Sequence, residues 1–149
     1  MNIYICGRLE VDNFKNKAIT NIIGIEDPNT PKLELPWINE TIQYNRVFLY
    51  DTSTDPKIEH IRDLLRIYSF ISPTNILFHC AQGANRSPAA AYIFLCYKGI
   101  SPPEALKKVA EARPWGVGNE TMIKLASKEL NNPAIYKNWQ DKFGGKPKW

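Results

Sequence analysis

Along the first 80 residues short apolar runs alternate with polar or helix-patterned stretches, and beyond residue 86 the helical period dominates. Ile3-Tyr4-Ile5-Cys6 and Ala18-Ile19-Thr20-Asn21-Ile22-Ile23-Gly24-Ile25 are β-branched runs that predict two strands, the second stopped by the turn chemistry of Asp27-Pro28-Asn29. Residues 8–17 between them form a polar connection with room for a helical turn, in which Arg8 reads as a solvent-exposed loop arginine. Residues 28–45 hold Pro28, Pro31 and Pro36 without sustained periodicity, which predicts a loop with one short element around Trp37-Ile38. Arg46 to Tyr50 predicts the next strand, and it runs into the carboxylate-bearing stretch Asp51-Thr52-Ser53-Thr54-Asp55-Pro56.

Apolar residues at 58, 61, 64, 65, 68 and 71 predict a helix over 56–71, with Asp55 as its N-cap and Pro56 at the first helical position. Ser72 to Asn75 breaks that helix, and Ile76-Leu77-Phe78 then reads as a strand buried on both faces of a parallel sheet. Pro88 to Tyr97 is apolar almost all round, the pattern of a helix buried in the middle of a protein, and Gly99 closes it. Ser101-Pro102-Pro103-Glu104 predicts a capping box ahead of a helix whose apolar face is Ala105, Leu106, Val109 and Ala110. A further helix starts at Asn119-Glu120, a short one covers 133–142, and residues 143–149 read as a frayed basic tail. Strands that alternate with helices and then give way to them predict an α/β fold. We expect a single domain over 1–142 with a central, mostly parallel sheet of four to five strands flanked by helices.

The length of 149 residues suits one domain, and 44% hydrophobic with 23% charged residues is the balance of a globular chain. No apolar run reaches the roughly 20 residues that span a bilayer, and the first residues lack the basic and apolar segments of a signal peptide, so a cytoplasmic location without membrane attachment is expected. Cys6, Cys80 and Cys96 are an odd count with no CxxC spacing, which speaks against a disulfide framework and a structural zinc site. Of the net charge of +4, the stretch from Lys137 to Trp149 carries +3.

The chemistry concentrates in Ile76-Leu77-Phe78-His79-Cys80-Ala81-Gln82-Gly83-Ala84-Asn85-Arg86-Ser87-Pro88. Cys96, in an apolar helix, and Cys6, at a strand end, read as small hydrophobes. Cys80 lies at a strand-to-helix turn beside an arginine, the surroundings that favour a thiolate. The loop Ala81, Gln82, Gly83, Ala84, Asn85 can turn successive backbone N–H groups inward as an anion nest at a helix N-terminus, and Arg86 adds a planar fork that matches two phosphate oxygens. The expected ligand is a phosphate-like dianion.

His79-Cys80-x5-Arg86-Ser87 resembles the signature of the cysteine-based protein tyrosine phosphatases, and its mid-chain position is similar to that of their compact dual-specificity branch. Asp51 at a strand end, and Ala112-Arg113-Pro114 leading to Asn119, extend the resemblance. The stretch Ile22-Ile23-Gly24-Ile25-Glu26-Asp27-Pro28-Asn29-Thr30-Pro31 is similar to a bacterial group of predicted tyrosine phosphatases. Together these cover most of residues 18–130.

The resemblance implies phosphomonoester hydrolysis through a phosphocysteine, without metal or cofactor, on phosphorylated proteins or peptides. Cys80 would be the nucleophile, the loop amides and Arg86 the charge stabilisers, and Ser87 either a hydrogen-bond donor to the sulfur or a helix cap. His79 would be a buried support for the loop. Asn119 would position substrate or water, or simply cap a helix. Asp51, 29 positions before Cys80, is the expected general acid, with Asp55 as the alternative. Two other functions stay open here. One is an RNA 5′-phosphatase of the same fold, which Asn85-Arg86 and the basic tail would suit, although four lysines in a tail are more often a solvated end or a nonspecific contact; the neutral residues between Cys80 and Arg86 speak against a phosphoinositide substrate. The other is a phosphate-recognition module without turnover.

Overall fold

The computed structural model describes residues 1–72 and 74–144. Four strands form one sheet: β1 (Asn2–Gly7), β2 (Asn21–Glu26), β3 (Gln43–Phe48) and β4 (Asn75–Cys80). Their order is β1-β4-β2-β3 and every neighbouring pair is parallel. The helices are α1 (Ile58–Tyr68), α2 (Arg86–Tyr97), α3 (Pro102–Ala112), α4 (Glu120–Glu129) and α5 (Pro133–Phe143), with a 3-10 helix over Arg8–Phe14. The expected single-domain α/β architecture is therefore present, with four strands among the described residues. None of its helices is long and apolar enough to cross a membrane.

Side chains alternate across a strand, so β4 serves two cores at once. Ile76, Phe78 and Cys80 join the larger core with α1 to α5, whereas Leu77 joins Cys6, Val11, Ile19 and Ile22 beneath the 3-10 helix and the 33–42 loop. Helix α2 is buried from Arg86 to Leu95, as expected of the middle element. It ends in a Schellman turn, with Gly99 at φ 93° and the Ile100 amide donating to the Leu95 carbonyl at 3.0 Å.

Several element limits differ from the sequence reading, each for a local reason. β2 starts at Asn21, because Ala18 takes a left-handed φ of 54° and bends the chain beforehand. β3 starts three residues before Arg46: Gln43 and Asn45 are polar because β3 is an edge strand, so Tyr44 alone among the three carries an apolar signal. Trp37-Ile38 forms a turn, with Trp37 Nε1 donating to Asp12. Asp55 does not cap α1; two residues of chain separate it from the first helical turn, and its carboxylate instead accepts from the Tyr50 amide at 2.5 Å. Ser101 stands at the N-cap of α3 but its hydroxyl makes no capping bond, and Pro103 removes one of the two amides a cap serves. Phe143, expected in the tail, belongs to α5 and packs on Trp139 at 5.8 Å; Gly144 follows it as the C-cap, and residues 145–149 of the predicted tail lie outside the described residues.

Gly24 sits in β2 directly beside His79 in β4, and a methyl group there would come within 2.8 Å of His79 Nε2 and 3.2 Å of the Tyr44 ring. Gly24→Ala is expected to destabilise the fold by about 1–3 kcal/mol through overpacking. Urea unfolding measures this; an unchanged midpoint would show that the strand can yield.

Candidate active site

The loop between β4 and α2 is shaped by what happens to its carbonyls. Ala81 O accepts from the Arg8 amide (3.1 Å), Gln82 O from Arg113 Nη2 (3.0 Å), Ala84 O from the Val117 amide (2.9 Å) and Asn85 O from the Asn119 amide (3.0 Å). In a trans peptide the N–H points opposite to the carbonyl. Four carbonyls held outward therefore turn the amides of Gln82, Gly83, Asn85 and Arg86 inward, and the Gly83 amide donates to Cys80 Sγ at 3.2 Å. The turn needs Gly83, which has a φ of 75° and passes so close to β1 that a Cβ would lie 2.6 Å from the Cys6 carbonyl carbon.

Cys80, at the end of β4, faces the helical side of the sheet. Its sulfur is 3.2 Å from Ser87 Oγ in the first turn of α2, so the Ser87 hydroxyl is set against the sulfur. Arg86 is 4% exposed. Its Nη1 donates to Asp27 Oδ1 at 2.6 Å and to the Leu49 carbonyl at 2.8 Å, while Nε is buried with no partner among the described residues. A cavity of about 310 Å³ is bounded by Asp51, Cys80, Ala81, Gln82, Ala84, Asn85 and Arg86. A larger open hollow of about 550 Å³ between α3 and α5 is lined by no cysteine, serine or threonine; Leu106, Lys107 and Asn138 are among its walls.

Asp51 follows β3 and is gripped by two amides. Asn119 Nδ2 donates to Oδ1 at 2.9 Å and Asn85 Nδ2 to Oδ2 at 3.1 Å. Asn119 also takes the capping role read from its sequence, its Oδ1 accepting from the Met122 amide at 3.0 Å at the start of α4. Asn85 contributes its backbone to the loop, but its side chain serves Asp51. Asp55 is not among the cavity residues.

His79 is fully buried on the opposite face from Cys80, and its Nε2 lies 2.5 Å from the Tyr44 hydroxyl. Burial, helped by the positive charge of Arg8, pushes its pKa down to about 4, so the ring is neutral and structural. Burial pushes the thiols of Cys6 and Cys96 up to about 12, which leaves them poor nucleophiles near neutrality.

Three carboxylates that the sequence did not single out brace the loop. Glu10 pairs with Arg113 at 2.7 and 3.1 Å and accepts from the Gly7 amide at 2.9 Å, and these bonds hold its carboxyl below the ordinary range. Glu26, 3% exposed, takes Arg8 at 3.0 Å and Arg46 at 2.6 Å, so Arg8 is a half-buried ion-pair member and not the free loop arginine expected. Asp27 holds Arg86. The only signal for Glu26 and Asp27 was the family-like stretch from Ile22 to Pro31; for Glu10 there was none.

No family model matches the chain. No curated protein matches it either. Solved structures do: human DUSP28 at TM-score 0.69 and 16% identity, with 94% of each chain covered; a mouse putative dual specificity phosphatase complexed with zinc tungstate at 0.63 and 19%, with 88% of this chain and 77% of that one covered; and a human tyrosine phosphatase-like serine/threonine/tyrosine-interacting protein at 0.65 and 16%, with 87% and 91% covered. The fold is that of the dual-specificity phosphatases. In this phosphatase fold the loop after β4 and the Asp51 strand end come together around one cavity.

The lowered pKa of His79 makes stability depend on pH. The unfolded chain takes up a proton near 6.5, the folded one only near about 4, so the neutral ring's contribution is complete above pH 6.5 and is lost as pH falls toward 4. The loss is expected to reach up to about 3 kcal/mol. Urea unfolding at pH 7, 6 and 5 should show a shallower slope for His79→Asn than for the wild type; equal slopes would contradict this assignment.

Proposed function

We propose that the chain is a cysteine-dependent phosphomonoesterase that removes phosphate from phosphotyrosine in proteins or peptides, with phosphoserine and phosphothreonine as further substrates. The observation that carries this reading is the sulfur of Cys80 in one cavity with four inward loop amides, the Arg86 guanidinium and the Asp51 carboxyl. In the first step the Cys80 thiolate attacks phosphorus, the S–P bond forms, the P–O bond to the leaving group breaks, and Asp51 gives its proton to the departing oxygen. Charge developing on the equatorial oxygens is met by the inward amides of the Ala81–Arg86 loop, those of Gln82, Gly83, Asn85 and Arg86, and by the free edge of Arg86. Water then attacks the phosphocysteine, Asp51 accepts its proton, and the S–P bond breaks; the Ser87 hydroxyl and the Gly83 amide stabilise the departing sulfur. His79 and Asn119 act as supports. The scheme calls for no cofactor or metal.

Asp51 is preferred to Asp55 as the acid because it borders the cavity and Asp55 does not. The neutral side chains of Ala81, Gln82 and Ala84 suit a single phosphate group better than an inositol polyphosphate or an RNA 5′ end, so nucleic acid is not the proposed partner. A neighbour of this fold was solved with zinc tungstate, and tungstate is a tetrahedral oxyanion of the kind this cavity would take. We assign the catalytic unit to residues 1–142, with Phe143 added by its place in α5; the sequence that follows to residue 149 is basic in composition. Three free thiols suit a reducing, cytoplasmic setting.

Wild type is expected to hydrolyse an aryl phosphate in the presence of chelator, and Cys80→Ser to abolish turnover; no activity in the wild type would refute the enzyme reading and leave a phosphate-recognition module. Asp51→Asn is expected to lower kcat by about 100-fold, more for alkyl than for nitrophenyl leaving groups. If Asp55→Asn gives that pattern and Asp51→Asn does not, the acid is Asp55.

A further inference from the structure

We infer that Asp27 is a positioning residue for Arg86: it closes one edge of the guanidinium so that the other edge faces the cavity. The identity of what that free edge binds rests on the phosphatase reading; the hold on the arginine does not.

A guanidinium offers two forks, one made by Nη1 and Nη2 and one by Nε and Nη2. In Arg86 the Nη1 end is spent on Asp27 Oδ1 at 2.6 Å and the Leu49 carbonyl at 2.8 Å. Nε, by contrast, is buried without a partner among the described residues, an arrangement that costs stability unless a ligand supplies the acceptor. The two facts select the Nε/Nη2 fork for an oxyanion. Asp27 itself is not a wall of the cavity, and its carboxylate is half exposed, so its contact is with the back of the arginine and not with the ligand.

Asp27 is in turn held by a built frame. Thr30 turns its amide (3.1 Å) and hydroxyl (2.6 Å) onto the Asp27 carbonyl, and Asn29 takes the left-handed φ of 69° that this turn requires. Arg46 Nη2 donates to the Thr30 carbonyl at 2.5 Å and Arg8 Nη2 to the Pro31 carbonyl at 2.8 Å. Both arginines are gathered by the buried Glu26, the residue before Asp27. A strand end, two paired arginines and one tight turn thus fix the backbone from which the Asp27 carboxylate reaches Arg86.

The hold has a cost. Asp27 offsets part of the positive charge that a dianion would feel, so an uncharged acceptor at this position keeps the geometry while removing a repulsion. Asp27→Asn is therefore expected to keep kcat on an aryl phosphate within about 3-fold and to bind tungstate at least as tightly as wild type. Asp27→Ala removes the acceptor, and its kcat is expected to fall by about 10–100-fold with weaker tungstate binding in calorimetry. The hold is read independently of activity by 15N spectra of the arginine side chains. The two Nη signals of Arg86, assigned by their absence in Arg86→Lys, should be distinct in wild type and Asp27→Asn, because rotation about Nε–Cζ is blocked, and averaged in Asp27→Ala. Unchanged Nη signals in Asp27→Ala, or equal loss of kcat in the Asn and Ala variants, would overturn the inference. A wild type with neither tungstate binding nor turnover, but with the predicted Nη behaviour, would overturn the phosphatase reading and leave the role of Asp27 standing.

Discussion

Everything around the cavity depends on one constraint: the loop after β4 must turn its carbonyls away from the cysteine. A peptide chain left to itself pairs its own donors and acceptors; here they are separated, amides inward and carbonyls outward. Such an arrangement is stable only if the carbonyls find partners elsewhere. Those partners come from three distant places: the start of the 3-10 helix gives the Arg8 amide, the end of α3 gives the Arg113 side chain, and the segment before α4 gives the amides of Val117 and Asn119. The parts of the fold that approach the loop are thus the ones that can donate to it. Gly7 and Gly83 let β1 come close enough for the first of these contacts, since a Cβ on Gly7 would lie 2.8 Å from the Ala81 carbonyl oxygen.

The same logic extends to the arginines. Glu10, Glu26 and Asp27 each hold an arginine that touches the loop or the turn bracing it. Exposed ion pairs contribute little to stability, and buried ones return their desolvation cost only when the remaining hydrogen bonds are made. Here most are made: Glu26 meets two guanidiniums whose other ends reach the Thr30 and Pro31 carbonyls, and Arg113 divides itself between Glu10 and Gln82 and stacks on Trp115 at 3.8 Å. What these pairs achieve is direction more than stability. A guanidinium fixed on one side presents its remaining N–H groups in a single plane.

The sheet and helices were legible in the sequence wherever burial writes a pattern. Ile76-Leu77-Phe78 and the apolar stretch to Tyr97 announce a central strand and helix, and both are where the pattern implied. Legibility fails where burial is partial. The edge strand β3 begins with polar residues, and the Asp55 carboxylate was read as a cap from the proline beside it, although the chain needed it five residues upstream at Tyr50. Around the cavity, Cys80, Arg86 and Ser87 stand out because spacing around a strand-to-helix turn carries them, and Asp51 stands out only through the family resemblance. The braces were not, because Glu10 meets Arg113 across 103 positions and Asp27 meets Arg86 across 59, and no local pattern records such a meeting.

That division bears on how far the likeness to known phosphatases reaches. At 16–19% identity the solved neighbours share a backbone path, and one of them is named only as phosphatase-like, so the path alone does not decide activity. The decision rests on a few atoms whose placement the path merely permits: a sulfur with an amide and a hydroxyl on it, a guanidinium with one free edge, and a carboxyl gripped on both oxygens by amides. Asn85 joins two of these directly. Its backbone shapes the loop and its side chain ties the loop to Asp51, so the cysteine side and the acid side of the cavity are set by the same residue. A displacement of the loop would therefore carry Asp51 with it, and that coupling through Asn85 is a stronger reason to treat the two as one site than their common position at the sheet's end.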